Sequence, residues 1–164
     1  MADHTMIYYA AFRRDFYVEV PELARMSADE VKVLRESLGD VQVRGKNCPK
    51  PIKSWAQAGM SSKIMSVLKR CEYEKPTPIQ AQALPVVMSG RDMIGIAKTG
   101  SGKTLAFVLP MLRHVLDQPE LDEEDGPIAI IMTPTRELAL QIYKETKKFC
   151  KALNLTVTCI YGGK

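Results

Sequence analysis

Aromatic residues make up only 7% of this chain, and a single tryptophan, Trp55, is among them. Histidine is scarcer still, with His4 and His114 alone. The four cysteines, Cys48, Cys71, Cys150 and Cys159, stand singly, with no Cys-x-x-Cys pair. That spacing argues against a zinc framework and for reduced intracellular thiols, some of them in the core. No apolar run is long enough to span a bilayer, so no membrane partner is expected. The opening residues, Met-Ala-Asp-His-Thr-Met, lack the charged-then-apolar order of a secretory leader. The expectation is an intracellular, soluble protein.

What is present is ordinary for a globular chain. Hydrophobic residues make up 46% and charged residues 26% of 164 residues, enough for one domain, or one domain and an arm. The formal net charge of +4 is compatible with nucleic acid without requiring it.

One stretch organises the rest: Ala97-Lys98-Thr99-Gly100-Ser101-Gly102-Lys103-Thr104. It lies between a short apolar run, Met93-Ile94-Gly95-Ile96, and a helix-like run from Leu105 to Leu116. Strand, glycine-rich loop and helix together form an anion trap. Gly100 and Gly102 let successive backbone N–H groups point inward, and the helix start adds free N–H groups and its positive dipole end. Lys103 can reach the terminal phosphates, and the Thr104 hydroxyl can hold Mg²⁺. The strict pattern has Gly where Ala97 stands, a small-for-small departure.

Residues 1–26 mix aromatics (Tyr8, Tyr9, Phe12, Phe16, Tyr17) with Arg13 and Arg14. Such a mixture can bind single-stranded nucleic acid, but packing of an arm against the domain is the favoured reading. Ser27 and Glu30 form a capping box for a helix carrying Val31, Leu34 and Leu38, with Gly39 to end it. Residues 40–53 hold Gly45, Pro49 and Pro51 and read as a linker, with a domain boundary near residue 50. Ser62 is expected to cap a helix burying Ile64, Met65, Val67, Leu68 and Cys71. Pro76 and Pro78 stop that helix, and Gln80 to Ala83 start another, which Pro85 limits or restarts. Pro110 predicts a kink or an early end in the helix after the loop. Residues 117–127 form an acidic, solvated loop without calcium-loop spacing. A further helix carries Leu138, Ile142, Phe149 and Leu153, with Lys144, Lys147, Lys148 and Lys151 on its wetter side.

Three apolar runs, about 92–97, 128–132 and 156–161, read as strands alternating with helices. That order is the grammar of a parallel α/β sheet. The expected fold is therefore an α/β phosphate-loop NTPase domain over 51–164, with a helical and extended arm and linker over 1–50. The sheet is expected to be truncated after about three strands, as part of a longer domain.

Several motifs in order resemble the first RecA-like domain of the DEAD-box ATP-dependent RNA helicases. Tyr73-Glu74-Lys75-Pro76-Thr77-Pro78-Ile79-Gln80 is similar to the family's adenine-reading segment. The resemblance implies that Gln80 pairs with adenine, with Tyr73 and Thr77 in the same site, and that Trp55 stacks on the base. Phe is more usual at the Trp55 position. Glu72 stands where the family commonly has Gly. Ala97 to Thr104 resembles the family's phosphate loop, Ala at the first position included. The implied nucleotide residues are thus Lys98, Thr99, Gly100, Ser101, Gly102, Lys103 and Thr104, with Lys103 and Thr104 as the catalytic pair.

Pro134-Thr135-Arg136-Glu137-Leu138-Ala139-Leu140-Gln141 resembles a segment that contacts the RNA backbone, and Gly162-Gly163 resembles another. Thr135 can donate to phosphate and Arg136 can pair with it. Phe16 to Leu23 and Cys48 to Trp55 resemble one subgroup, the nuclear DEAD-box ATPases that act with the branch-site ribonucleoprotein in early spliceosome assembly. The resemblance implies ATP and Mg²⁺ as cofactors, RNA as ligand, a spliceosomal partner for the arm, and a nuclear location. The family's Asp-Glu-Ala-Asp and Ser-Ala-Thr motifs and its arginine fingers do not occur in these residues. One such finger contributes roughly 10³–10⁵ in rate, so the chain alone is expected neither to hydrolyse ATP usefully nor to unwind RNA. A non-catalytic interaction module is the alternative reading.

Overall fold

The computed structural model describes residues 5–8, 11–122 and 125–162. Among the described residues six α-helices follow one another: α1 Pro21–Ala24, α2 Ala28–Ser37, α3 Ser62–Arg70, α4 Pro78–Met88, α5 Lys103–Val115 and α6 Arg136–Leu153. A 3₁₀ turn, Trp55–Ala58, lies between α2 and α3.

The helix starts follow from local chemistry. At α2 the capping box closes as expected: the Glu30 N–H donates to Ser27 Oγ at 3.2 Å, and the Ser27 N–H donates to Glu30 Oε2 at 2.7 Å. Helix α3 is capped by Ser61, whose Oγ accepts from the Ile64 N–H, so Ser62 becomes the first helical residue rather than the cap. In α6 the Thr135 hydroxyl accepts from the Leu138 N–H, and Asn154 ends the helix in the left-handed conformation.

Neither internal proline ends its helix. Pro110 lies buried in α5, which runs on to Val115, and Pro85 lies buried in α4, which runs on to Met88. Pro85 has no N–H to offer the Ala81 carbonyl one turn back. The Ile52 N–H donates to that carbonyl instead, at 2.9 Å.

The core gathers Leu23, Ile52, Trp55 and Ala58 with Ile64 and Leu68 of α3, Leu84 of α4, Leu109 and Leu112 of α5, and Phe149 and Leu153 of α6. Leu138 lies exposed near the start of α6, away from the expected apolar face.

Residues from both sides of position 50 enter this core, and polar links cross it as well. Lys50 donates to the carbonyls of Leu23 and Ala24, both at 2.8 Å. Gln82 of α4 accepts from Arg35 of α2 and donates to the Pro49 carbonyl. Upstream, the Phe16 and Tyr17 N–H groups both donate to the Met88 carbonyl, at 2.7 and 3.1 Å. The arm passes so close to Gly90 that a Cβ there would lie 2.7 Å from Arg14 Cβ. Phe12 and Phe16 pack edge-on against His114 of α5, and Arg113 stacks on Phe16. The arm therefore lies along the helices, the packing favoured from its sequence.

The expected sheet does not form among the described residues. Residues 92–97, 128–132 and 156–161 are extended, yet no strand ladder joins them. Ile94, Ile96, Met132 and Ile160 are 89–93% exposed. Residues 155–160 still alternate between half-buried and exposed positions, the sidedness of a strand. Ile131 and Val157 are the members that reach the core. The physical reason is that a strand's hydrogen bonds lie between segments, so an apolar run without a paired neighbour stays extended and open. The parallel sheet expected from the sequence is therefore not completed by these three segments.

Candidate nucleotide-binding site

The loop before α5 ends at Gly102, which serves as its N-cap with φ of +87°, in the left-handed region. Only glycine fits there. A Cβ would lie 2.5 Å from Gln80 Nε2 and 3.0 Å from Thr77 Oγ1. At Gly100, also left-handed at +76°, an added Cβ would meet nothing within 4 Å. The loop thus has one face pressed against the start of α4 and one face open.

Gln80 makes that junction. It is 3% exposed, its Oε1 accepts from the Thr77 N–H at 2.9 Å, and its Nε2 donates to the Gly102 carbonyl at 2.9 Å. Each end of the amide retains capacity for one further hydrogen bond. The structure brings Thr77, Gln80 and Gly102 into one unit.

Lys103, the first residue of α5, folds back on its own loop and donates to the carbonyls of Ala97 and Lys98, the latter at 2.8 Å. Its ammonium therefore already lies within the loop. Thr104 is half-buried in the first turn. Two hydroxyls here, Ser101 Oγ and Thr77 Oγ1, are buried without a hydrogen-bond partner. Buried hydroxyls are rarely left so, and a bound polyanion with its base is the kind of group that would satisfy them. The residues therefore fit a Mg²⁺-nucleotide. Among the described residues no group of three His, Cys, Asp or Glu side chains could hold a metal.

Trp55 and Tyr73 form a second pair. The Trp55 indole N–H donates to the Tyr73 carbonyl at 2.7 Å. Both line a cavity of about 200 Å³ with Met65, Leu68, Lys69, Glu72 and Glu74, a wall that includes neither Gln80 nor the loop. Trp55 is only 5% exposed, so its ring is chiefly a core member. Glu72 has φ of +59°, a conformation that glycine adopts more easily. A glycine, which the resemblance places at this position, would adopt that conformation without strain.

The expected RNA-contacting residues lie at the start of α6. Pro134, Thr135 and Arg136 are all exposed. The Arg136 guanidinium stacks on Tyr161, 4.3 Å from its centroid, which brings Gly162 beside the same helix start. Gly163 lies outside the described residues. Sequence reasoning missed Tyr161 as a member of this group, although an aromatic directly before the Gly-Gly pair was there to be noticed. It also missed Glu145. The Tyr73 hydroxyl donates to Glu145 Oε1 at 2.6 Å across 72 positions of sequence. This hydrogen bond, with burial and the Glu145 charge, holds the Tyr73 phenol up at a pKa of about 12.

The family model described as DEAD/DEAH box helicase matches residues 77–164. The chain is 66% identical over 161 residues to "Probable ATP-dependent RNA helicase DDX46" of Homo sapiens, covering 98% of this chain and 16% of that protein. It is 58% identical over 161 residues to "Pre-mRNA-processing ATP-dependent RNA helicase prp11" of Schizosaccharomyces pombe, again 98% of this chain and 16% of the relative. The chain thus spans about a sixth of the length of these curated relatives. Among solved structures, the RNA helicase Prp28 from Chaetomium thermophilum bound to ADP superposes with a TM-score of 0.79 at 38% identity, covering 90% of this chain and 36% of that one. With that family model matching residues 77–164, more than half of its length, the chain belongs to the DEAD/DEAH box helicase family.

Proposed function

We propose that this chain is the ATP-binding and RNA-contacting part of an ATP-dependent RNA helicase of pre-mRNA splicing. The observation that carries the reading is the Gln80 amide, which joins the turn at Thr77 to Gly102 of the phosphate loop. Base recognition and phosphate binding then share one rigid unit. Gln80 and Thr77 would meet adenine, with Tyr73 and Trp55 behind them. Lys98 to Lys103 would hold the phosphates, with Lys103 turning from the loop carbonyls to the outer phosphates. The Thr104 hydroxyl would hold Mg²⁺, which when bound offsets phosphate charge.

RNA would lie across Pro134, Thr135 and Arg136 and the Gly162-Gly163 pair, through its backbone and without sequence preference. The relative named for pre-mRNA processing supports a spliceosomal partner and a nuclear site of action. Among the described residues no helix is long and apolar enough to cross a membrane.

The test is a thermal melt of the chain with Mg-ADP, with GDP as control. Mg-ADP is expected to raise the midpoint, by an amount equivalent to about 2.7 kcal/mol at a hundredfold excess over Kd. GDP is expected to leave it unmoved, and Lys103→Ala to abolish the shift. Equal shifts with both nucleotides would sink the adenine reading, and no shift with either would sink the nucleotide site.

A further inference from the structure

We propose that the arm and α5 together form a docking surface for an acidic peptide segment of a partner protein, with Arg13, Arg14 and Arg113 as the groups that recognise it. The proposal goes beyond the function given above and does not depend on it. Three guanidinium groups gather here on two rings. Arg13 and Arg113 both lie over Phe16, 4.8 and 4.4 Å from its centroid, and Arg14 lies over Phe12 at 5.2 Å. His114 of α5 joins the two rings, 5.2 Å from Phe12 and 5.5 Å from Phe16. The cluster is held before any ligand arrives. The Phe16 and Tyr17 N–H groups fix the arm to the Met88 carbonyl, and Arg13 Nε donates to the Asp15 carbonyl at 2.8 Å. A ligand therefore need not order these side chains itself.

The cluster is short of negative charge. Asp15 turns its carboxylate to the Tyr17 N–H, at 3.2 Å, and Asp117 pairs with Arg113, at 3.3 Å. Among the described residues no acid pairs with Arg13 or Arg14, and both are exposed. Like charges gathered on neighbouring rings repel, and an incoming carboxylate relieves that repulsion. The planar fork of a guanidinium matches a carboxylate with two parallel N–H donors.

RNA is the other polyanion to weigh. A mixed basic and aromatic surface holds single strands by stacking bases on its rings. Here the rings are already taken. Phe16 is only 8% exposed and lies against two guanidinium groups, and Phe12 carries Arg14 with His114 at its edge. An arginine cluster whose rings serve its own cations is suited to an acidic peptide motif.

The test uses the 164-residue chain and a short fluorescein-labelled peptide of alternating aspartate and glutamate, read by fluorescence anisotropy at low salt. The peptide is expected to bind, and Arg13→Ala/Arg14→Ala to weaken it about tenfold or more. Alanine keeps the Arg14 Cβ that lies against Gly90, so the seat of the arm is spared. Arg13→Lys/Arg14→Lys keeps both charges without the forks, and most of the loss should remain. Lys144→Ala/Lys151→Ala removes two exposed charges from α6 and should leave the affinity nearly unchanged.

Equal losses from the arginine pair and the lysine pair would show general attraction between unlike charges and overturn the proposal. A peptide that does not bind overturns it too. An oligouridylate of matching charge that displaces the peptide and depends on the same two arginines would assign the surface to nucleic acid instead. If the alanine pair lowers the melting midpoint while the lysine replacements keep both midpoint and affinity, the arginines only seat the arm, and the proposal falls.

Discussion

Helix α5 and the extended segment directly before it are both apolar, yet one is buried and the other lies open. Leu105, Val108, Leu109 and Leu112 of the helix face the core, whereas Ile94 and Ile96 of the segment face outward. Apolar content does not separate them. The helix closes its hydrogen bonds within its own turns and then needs only one neighbouring surface. The segment must borrow its hydrogen bonds from a second segment, and none is paired with it. Residues 128–132 and 156–161 repeat the same condition. Helical structure in this chain is therefore settled locally, while strand structure depends on company.

The sharpest way to break the comparison is amide hydrogen exchange. Amides within α4 and α5 are expected to be protected at least about a thousandfold more than those of residues 93–97 and 129–132. Comparable protection in the two sets would show that the segments pair in solution after all.

Truncation at matched positions gives a smaller effect. Leu109→Ala, at a fully buried site, is expected to cost about 2–5 kcal/mol in denaturant unfolding. Ile94→Ala, at an open site, should stay within about 0.5 kcal/mol. Equal losses would place Ile94 in a core that the structure does not show.

Alkaline titration gives the smallest effect. The Tyr73 phenol is raised from 10.0 to about 12, first by its bond to Glu145. Its neutral form is thus favoured in the folded chain, so this contribution is whole below about pH 10 and is lost as pH rises through 12. Ultraviolet absorbance should show a late-ionising tyrosine that Glu145→Ala returns toward 10. Tyr17, raised to about 12 chiefly by burial, should not move. If both move together, the Glu145 bond is not the cause.

The helices were legible because their signals lie within a few residues of one another. Ser27 with Glu30 predicted a cap that the structure shows, and the spacing of Ile64, Val67 and Leu68 predicted a buried face. The cap of α3 was misplaced by one residue, since Ser61 and Ser62 offer the same chemistry. Pro110 suggested a break because a proline lacks a donor, but burial of its neighbours keeps the helix running through it.

The loop and its two left-handed glycines, Gly100 and Gly102, were legible locally. The clash awaiting a side chain at Gly102 was not, because it comes from Gln80, 22 residues earlier. Glu145 was out of reach for the same reason. Nothing near it in sequence announces a tyrosine 72 positions away, and only its i,i+3 pairing with Lys148 could be read locally.

The carbonyl of Ala81 makes a different point about cooperativity. Pro85 leaves it without an intrahelical donor, and the Ile52 N–H supplies the bond from outside the helix. Helix α4 is therefore incomplete as an isolated peptide and becomes whole only when the chain around Ile52 arrives. A residue that weakens its own helix has made that helix's completion conditional on a distant segment. Secondary and tertiary structure are joined at that one carbonyl, and the helix that follows Thr77 is finished by the part of the chain that precedes it.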